Sequence, residues 1–350
     1  SKWLVIPVFY RDVQIIGGTQ NVPPLNKNYT NLIRYAAAVE RDPYFSNIAK
    51  YNIQLQLIEI RKYGQSLVEK KRGFFKRNVL GKTIDYGYRS VISVFHIDAA
   101  DKPEENPVDI MHSGIPLSQC CVLFFPFIRR YVRDYIRREI TGYGDKIPYE
   151  GADGKPEFIR VKDVMGYYND DFLQKMIDQY VNTPNIRFRP VLIPTEDGSE
   201  FPLFFRGQPY TNRAERAPEN IATRNLTWTD LLYLAAEDSL QDKHVYITRY
   251  PLVDYFGTFP SKIHVLTTIK TQPMVVDGKL YPYYPMIDPK LSEDVVSTLF
   301  NDTVTMDNAY LKGLEGDYDG DQITVKGVYS EEANKEADEI MHSAKHYVNI

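Results

Sequence analysis

The sequence predicts a mixed α+β fold that leans towards β structure. Its 350 residues include 27 tyrosines and 22 prolines, a usage typical of short strands and turns rather than of a helical bundle. With 43% hydrophobic and 25% charged residues, the chain has an ordinary globular composition and is long enough for about two or three domains. These proportions exclude the disordered and fibrous classes of protein.

The sequence also predicts no membrane span. The longest apolar run covers residues 120–128 and is interrupted by Pro126, whereas a membrane-spanning helix needs about 20 apolar residues. Cys120 and Cys121 are adjacent, which argues against both a disulfide and a zinc site in this chain and indicates a reducing, cytoplasmic setting. Because the first residues lack an initiator Met and a signal-peptide pattern, we expect an internal cut there.

The first part of the chain predicts two helices joined by a turn. From Tyr29 and again from Ala49, apolar residues recur at intervals of three and four, and Asp42-Pro43 lies between the two stretches. We therefore expect an antiparallel helical hairpin over about residues 25–64.

Residues 61–89 concentrate positive charge in a chain whose net charge is −4. Nine lysines and arginines occur there with two acidic residues. This clustering favours contact with a polyanion such as nucleic acid, and a solvated charged face is the common alternative.

The rest of the chain predicts strands with helices between them. One helix is expected over residues 228–236 with Thr227 as its cap, and another from Ser330 onward, with acidic residues in its first turn. The Gly-, Pro- and Asp-rich residues 142–156 predict the boundary of an insertion. Five segments have strand-like patterns: residues 90–95, 245–248, 262–268, 280–284 and 323–328.

An acidic loop carries the strongest chemical signal, because it places three carboxylates at alternate positions, in Asp317, Asp319 and Asp321. Alternate side chains of an extended loop point the same way, and Gly320 permits a turn tight enough for them to converge. Converging carboxylates repel unless a cation lies between them, and hard oxygen ligands favour Mg²⁺ or Ca²⁺. An EF-hand is excluded, since Gln322 and Val328 stand where that loop requires Gly and Glu. An exposed acidic turn without metal is the remaining alternative.

The acidic loop resembles the Asn-Ala-Asp-Phe-Asp-Gly-Asp signature of the largest, β′-type subunit of multisubunit DNA-dependent RNA polymerases. Residues 71–92 are similar to that family's segment leading from the clamp into the active-site barrel. The resemblance covers nearly the whole chain except about residues 143–225 and 287–306, which look like insertions. Shorter stretches resemble family elements in the same order, at residues 6–12, 113–116, 125–128, 248–251 and 278–280.

The resemblance implies a fold: a double-ψ β-barrel catalytic core with an N-terminal clamp-type helical hairpin and inserted α/β segments. It implies five regions, which are a clamp-type region (1–70), a basic switch segment with the first part of the barrel (71–142), an insertion of unknown role (143–225), the second part of the barrel with the metal loop (226–329) and a C-terminal helix (330–350).

The resemblance also implies site residues. The family's signature aspartates hold the catalytic Mg²⁺, and they correspond here to Asp317, Asp319 and Asp321, while a second Mg²⁺ arrives with the nucleotide. Arg249 stands where the family has an arginine that contacts the nucleotide's ribose. Glu315 replaces the signature's Asn, which senses the 2′-hydroxyl.

Basic positions that touch the template strand or the hybrid in the family correspond to Lys71, Lys76, Lys82 and Arg89. Arg72 and Arg77 do not match basic family positions. Phosphate contacts of this kind give affinity without sequence specificity.

The implied activity is addition of ribonucleotides to an RNA 3′ end on a DNA template, only in the presence of partner subunits. The partners implied are a β-type subunit with the second barrel, a chain carrying the bridge helix and trigger loop, and a promoter-specificity (σ-type) factor at the helical hairpin. DNA template, RNA and ribonucleoside triphosphates are the implied ligands. A split, divergent β′ resembles the polymerases of large bacteriophages, which act in the host cytoplasm.

Two alternatives remain open at this point. One is a non-catalytic module that binds metal through its carboxylates and serves only assembly. The other is an RNA-templated polymerase of the related two-barrel type, against which the helical hairpin and the basic segment argue.

Overall fold

The chain divides into two units in the computed structural model, Ser1–Ile84 and Asp85–Ile350. The structure describes residues 5–16, 19–41, 44, 46–69, 73, 75, 79, 84–94, 107–141, 145–150, 156–209, 224–252, 255–286 and 298–343. Within these residues, every helix is too short or too polar to cross a lipid bilayer.

The first unit is built around two helices that pack on each other, in the segment where the hairpin is predicted. Few of their side chains are buried, Leu25, Ala49 and Ile60 among them. The amide of Asn26 donates to the backbone carbonyl of Arg11 at 2.6 Å, which ties the preceding chain to the first helix. The elements are β1 (Gln14–Ile16), β2 (Thr19–Asn21), α1 (Pro24–Arg41) and α2 (Ser46–Val68).

The second unit contains both strands and helices, so the predicted mixed α+β class is confirmed. In chain order its elements are β3 (Gly87–Val91), β4 (His112–Pro116), α3 (Leu117–Leu123), α4 (Phe125–Thr141), β5 (Lys146–Glu150), β6 (Pro156–Arg160), α5 (Val164–Tyr167), α6 (Asp170–Asn182), β7 (Leu192–Pro194), β8 (Glu200–Pro202), β9 (Gln208–Pro209), α7 (Trp228–Leu240), β10 (His244–Arg249), β11 (Thr258–Leu266), β12 (Thr271–Val276), β13 (Lys279–Pro285), α8 (Ala309–Leu314), β14 (Gln322–Gly327) and α9 (Glu331–His342).

A curled five-stranded sheet lies at the centre of this unit, in the order β3-β14-β10-β11-β4. Its neighbours are antiparallel except for β11 and β4, which run parallel. Ile247 of β10 is fully buried and pairs with Phe259 on one side and Val325 on the other. Alternation along these strands sends one row of apolar side chains into the core.

The two outer strands of the sheet bond to the same short segment. The backbone N–H of Val304 donates to the carbonyl of Val91, the last residue of β3, at 3.2 Å. Gly114 of β4 and Thr305 exchange two backbone hydrogen bonds of 2.8 and 3.0 Å. Residues 304 and 305, at the end of the stretch 287–306, therefore bond to both outer strands of the sheet. That this stretch is an insertion stays a prediction.

Helix α7 is buried along most of its length and packs in the apolar core with α3 and α4. Its first turn has a capping box, as the Thr227 hydroxyl accepts the N–H of Asp230 while the Asp230 carboxylate accepts the N–H of Thr227. The predicted cap at Thr227 is thus confirmed.

Residues 156–209 belong to the same unit as the curled sheet. Strand β9 pairs with β12, extending the β12–β13 hairpin to a three-stranded sheet. The guanidinium of Arg187, 2% exposed, donates to both carboxylate oxygens of Asp302 at 3.0 and 3.2 Å. These bonds anchor the segment that was predicted to be an insertion to the residues preceding Val304.

Helix α9 begins after Ser330, whose hydroxyl accepts the N–H of Ala333. Asn334, 6% exposed, fastens it to the sheet, because its carbonyl oxygen accepts the backbone N–H of His244 at 2.8 Å. The helix ends at His342, earlier than the predicted end at residue 350, because Ser343 is extended. Residues 344–350 lie outside the described part of the chain.

Candidate metal centre

The acidic loop connects α8 to β14. Glu315 ends α8 in the left-handed conformation, with φ of 51°, and the N–H of Gly316 donates to the carbonyl of Leu311 at 2.9 Å. Gly320 has φ of 115°, a backbone conformation that side chains with a Cβ rarely adopt. Glu315 and Gly320 reverse the chain within a few positions, so the three aspartates of the loop face a common point.

The three aspartates converge as the sequence predicts. One carboxylate oxygen from each of Asp317, Asp319 and Asp321 lies within 4.8 Å of the others. Asp317 and Asp319 are exposed and Asp321 is partly exposed, so a cation from solvent can reach them. Three converging carboxylates are a donor set suited to a hard divalent cation such as Mg²⁺.

The charges in the loop are only partly compensated. A hydrogen bond with Asp317, together with its negative charge, raises the pKa of Asp319. A hydrogen bond from Arg249, by contrast, lowers the pKa of Asp321. The repulsion between the first two aspartates is of the kind that a divalent cation relieves.

Arg249 is brought to the triad by the sheet. It is the last residue of β10 and pairs with Ile323 of β14, two positions after Asp321. Its Nη2 donates to Oδ1 of Asp321 at 2.9 Å and its Nη1 to the carbonyl of Leu314 at 3.3 Å. The hydrogen bond to Asp321 raises the pKa of the guanidinium. The resemblance implies a nucleotide contact for Arg249, which stays a prediction, and it does not imply the contact with Asp321.

The structure describes two of the other predicted site residues, Glu315 and Arg89, and not the three lysines. Glu315 is exposed, and its carboxylate is close enough for its charge to act on Arg249. Arg89 is exposed on β3, opposite Thr324 of β14. The remaining basic residues, Lys71, Lys76 and Lys82, lie outside the described residues.

Two contacts of the loop were not anticipated from the sequence. The hydroxyl of Tyr318 donates to Oδ1 of Asn308 at 2.6 Å, which ties the tip of the loop to the start of α8. The backbone N–H of Asp317 donates to Oδ2 of Asp321 at 3.0 Å. A tyrosine between two aspartates was the available signal for the first contact, and the second has no signature in residue type.

Comparison with known proteins gives a local similarity. A DNA-directed RNA polymerase subunit beta′ from Bigelowiella natans is 41% identical over 66 residues, which make up 19% of this chain and 7% of that subunit. The chain therefore matches less than a tenth of that protein's length. No protein-family model matches the chain. The similarity supports a link between this chain and RNA polymerase β′ subunits.

Proposed function

We propose that the chain is a β′-type catalytic fragment of a DNA-directed RNA polymerase. The observation that carries the proposal is the convergence of Asp317, Asp319 and Asp321. They lie on a loop that directly precedes β14, a strand of the curled sheet. The local similarity to a polymerase β′ subunit supports the same function.

We also propose that the curled sheet is part of a double-ψ β-barrel. Support comes from its outer strands, which both bond to residues 304–305 and so approach closure at this point. In such a barrel the acidic loop lies at a fixed place on a rigid support, which is what a site that positions reactants requires.

In this proposal the three aspartates hold one Mg²⁺, each through one carboxylate oxygen. Bound there, the ion would lower the pKa of an RNA 3′-hydroxyl and stabilise the charge of the departing pyrophosphate together with a second ion from the nucleotide. The chain's own contribution is to orient the carboxylates, through the bend at Gly320 and the contacts of Tyr318 and Asp317.

Arg249 and Glu315 are proposed to contact the nucleotide. The guanidinium of Arg249 donates hydrogen bonds and suits ribose hydroxyls, while the exposed carboxylate of Glu315 accepts one from a 2′-hydroxyl. Arg89, Lys71, Lys76 and Lys82 are proposed to bind phosphates of the template strand or the hybrid.

The proposal requires partners: a β-type subunit, a chain with the bridge helix and trigger loop, and a σ-type factor on the α1–α2 hairpin. Helix α2 supports the last of these by an exposed apolar row at intervals of three and four, formed by Ile48, Tyr51, Leu55 and Ile58. The replacement of the signature's Asn by Glu315 supports a divergent polymerase. That it is a split form of a large bacteriophage, acting in the host cytoplasm, is part of the proposal.

The test is Mg²⁺-dependent ribonucleotide incorporation by the tagged chain, purified from its native source with its partners, on a DNA template. We expect Asp319→Asn to assemble normally and to lose at least about a hundredfold in rate, because one of three cation ligands is neutralised. Asp242→Asn, a change at an exposed aspartate after α7, is the matched control and should keep wild-type activity.

Two outcomes would contradict the proposal. Wild-type synthesis by Asp319→Asn would leave an assembly module as the better interpretation. Preference for an RNA template over DNA would instead favour the RNA-templated two-barrel polymerase.

A further inference from the structure

Asp321 differs from the other two aspartates of the triad because both of its carboxylate oxygens are engaged within the chain. Oδ1 accepts from Nη2 of Arg249 at 2.9 Å, and Oδ2 accepts from the backbone N–H of Asp317 at 3.0 Å. The Arg249 and Asp321 side chains are each only 20% exposed. A guanidinium thus already occupies one of the three carboxylates that could bind a cation.

We propose that Arg249 is a positioning residue that competes with the metal ion for Asp321, so that cation binding and release of the Arg249–Asp321 contact are coupled. The inference rests on the proposed metal centre. It assigns Arg249 a role before any nucleotide is present, in addition to the contact with ribose proposed above.

The geometry lets Arg249 exchange one partner and keep the other. Its Nη1 donates to the carbonyl of Leu314, at the carboxyl end of α8, where the carbonyl groups of the last turn attract a cation. This second bond does not involve the triad. When a cation takes Oδ1 of Asp321, the guanidinium can stay bound at Leu314 while Nη2 becomes free to donate to another acceptor.

The backbones of both partners are fixed, so this exchange is a movement of side chains. Arg249 is held in the ladder opposite Ile323, and the carbonyl of Asp321 accepts the N–H of Ile92 at 3.1 Å. The loop therefore keeps its shape while the partner of Oδ1 changes.

Electrostatics sets the direction of the effect. The guanidinium takes one lone pair of Asp321 and places a positive charge beside the position that a cation would occupy. Because Asp317 and Asp319 remain only partly compensated, a divalent cation still gains from entering, but less than it would without Arg249. Removal of the guanidinium should consequently tighten cation binding.

The test measures Mn²⁺ affinity, by the electron paramagnetic resonance signal of free Mn²⁺, on the chain purified with its partners. We expect Arg249→Gln to bind Mn²⁺ about tenfold more tightly and Arg249→Lys about threefold, since lysine keeps the charge but cannot donate to two acceptors as a fork. Lys279→Gln is the control for net charge and should leave the affinity unchanged, because Lys279 lies on the β12–β13 sheet and pairs with Asp238 of α7.

The outcomes separate this inference from the proposed function. Unchanged or weaker Mn²⁺ binding by Arg249→Gln would overturn the competition, and Arg249→Lys provides the same test if the glutamine variant does not fold. Wild-type Mn²⁺ affinity in Asp319→Asn would instead overturn the metal centre itself. Loss of binding in Asp319→Asn with no change in Arg249→Gln would keep the metal centre and reject the role of Arg249.

Discussion

The carboxylate of Asp230, at the start of α7, and the carboxylates of the triad have opposite surroundings. Asp230 is fully buried, and its two oxygens accept hydrogen bonds from the Arg224 guanidinium, the backbone and hydroxyl of Thr227, and the Tyr284 hydroxyl. In the loop, Asp317 and Asp319 are exposed and near each other, and Arg249 bonds to Asp321.

The difference teaches how a structural carboxylate can be told from one that is available to a ligand. A buried charge is tolerated only when its lone pairs are filled by the protein, as they are at Asp230. A ligand site instead keeps like charges together and leaves oxygens accessible to solvent, as at Asp319. Removing a charge should therefore destabilise the fold in the first region and not in the second.

The largest effect is expected for Asp230→Ala. The change leaves the Arg224 charge without its partner and the N–H of Thr227 without its acceptor, so the free energy of unfolding should fall by about 3–5 kcal/mol. Urea unfolding followed by circular dichroism measures it. Asp242→Ala, at an exposed aspartate, is the control and should change stability by less than about 0.5 kcal/mol. If Asp230→Ala and Asp242→Ala both lowered the free energy of unfolding by the same small amount, Asp230 would not be a structural carboxylate and the contrast with the triad would fail.

An intermediate effect is expected at Glu237, a largely buried carboxylate of α7 with fewer partners than Asp230. Burial raises its pKa from 4.5 to about 7, and the Lys279 charge opposes this rise. Since the folded state holds the proton more tightly, Glu237 stabilises the fold below pH 4.5 and loses this contribution as the pH rises through 7.

Glu237→Gln should therefore become more stable than wild type as the pH rises from 5 to 8, by up to about 3 kcal/mol. The measurement is the difference in unfolding free energy between the two proteins at each pH, so that other titrating groups cancel. A difference that did not vary with pH would show that Glu237 is paired as fully as Asp230.

The smallest effect on stability is expected for Asp319→Asn. Without divalent cations, the change removes one of two repelling charges, so the melting temperature should stay the same or rise slightly. Adding Mg²⁺ should raise the melting temperature of wild type and not that of the variant, because a ligand stabilises only the state that binds it. Calorimetry with and without Mg²⁺ measures both. A clear loss of stability in the cation-free variant would assign Asp319 a structural role.

Local patterns in the sequence were enough to predict part of the fold and of the site. The cap at Thr227 precedes an apolar helical stretch directly, and the triad spans four positions, so residue type and spacing alone indicate both. Apolar periodicity predicts helices α1 and α2, and the capping residue Ser330 predicts the start of α9.

Contacts between distant residues could not be predicted in this way. The bond between Asn334 and His244 joins positions 90 residues apart, and Arg249 reaches Asp321 across 72. Likewise, nothing in residues 304–305 marks them as partners of both outer strands, because a backbone hydrogen bond requires no particular side chain.

The pairing of β3 with β14 also determines when the central sheet can fold during translation. Gln322 pairs with Val91, and at about 5–20 residues per second a ribosome needs roughly 10 to 50 seconds to deliver β14 after β3 has emerged. During that interval β3 lacks its neighbour in the sheet and exposes unpaired backbone groups, which favour aggregation. Strands β10 and β11 form their hairpin from residues close in sequence, but the sheet cannot be completed until translation has passed β14. Nascent-chain folding of this protein is thus expected to depend on chaperones that cover β3 until then.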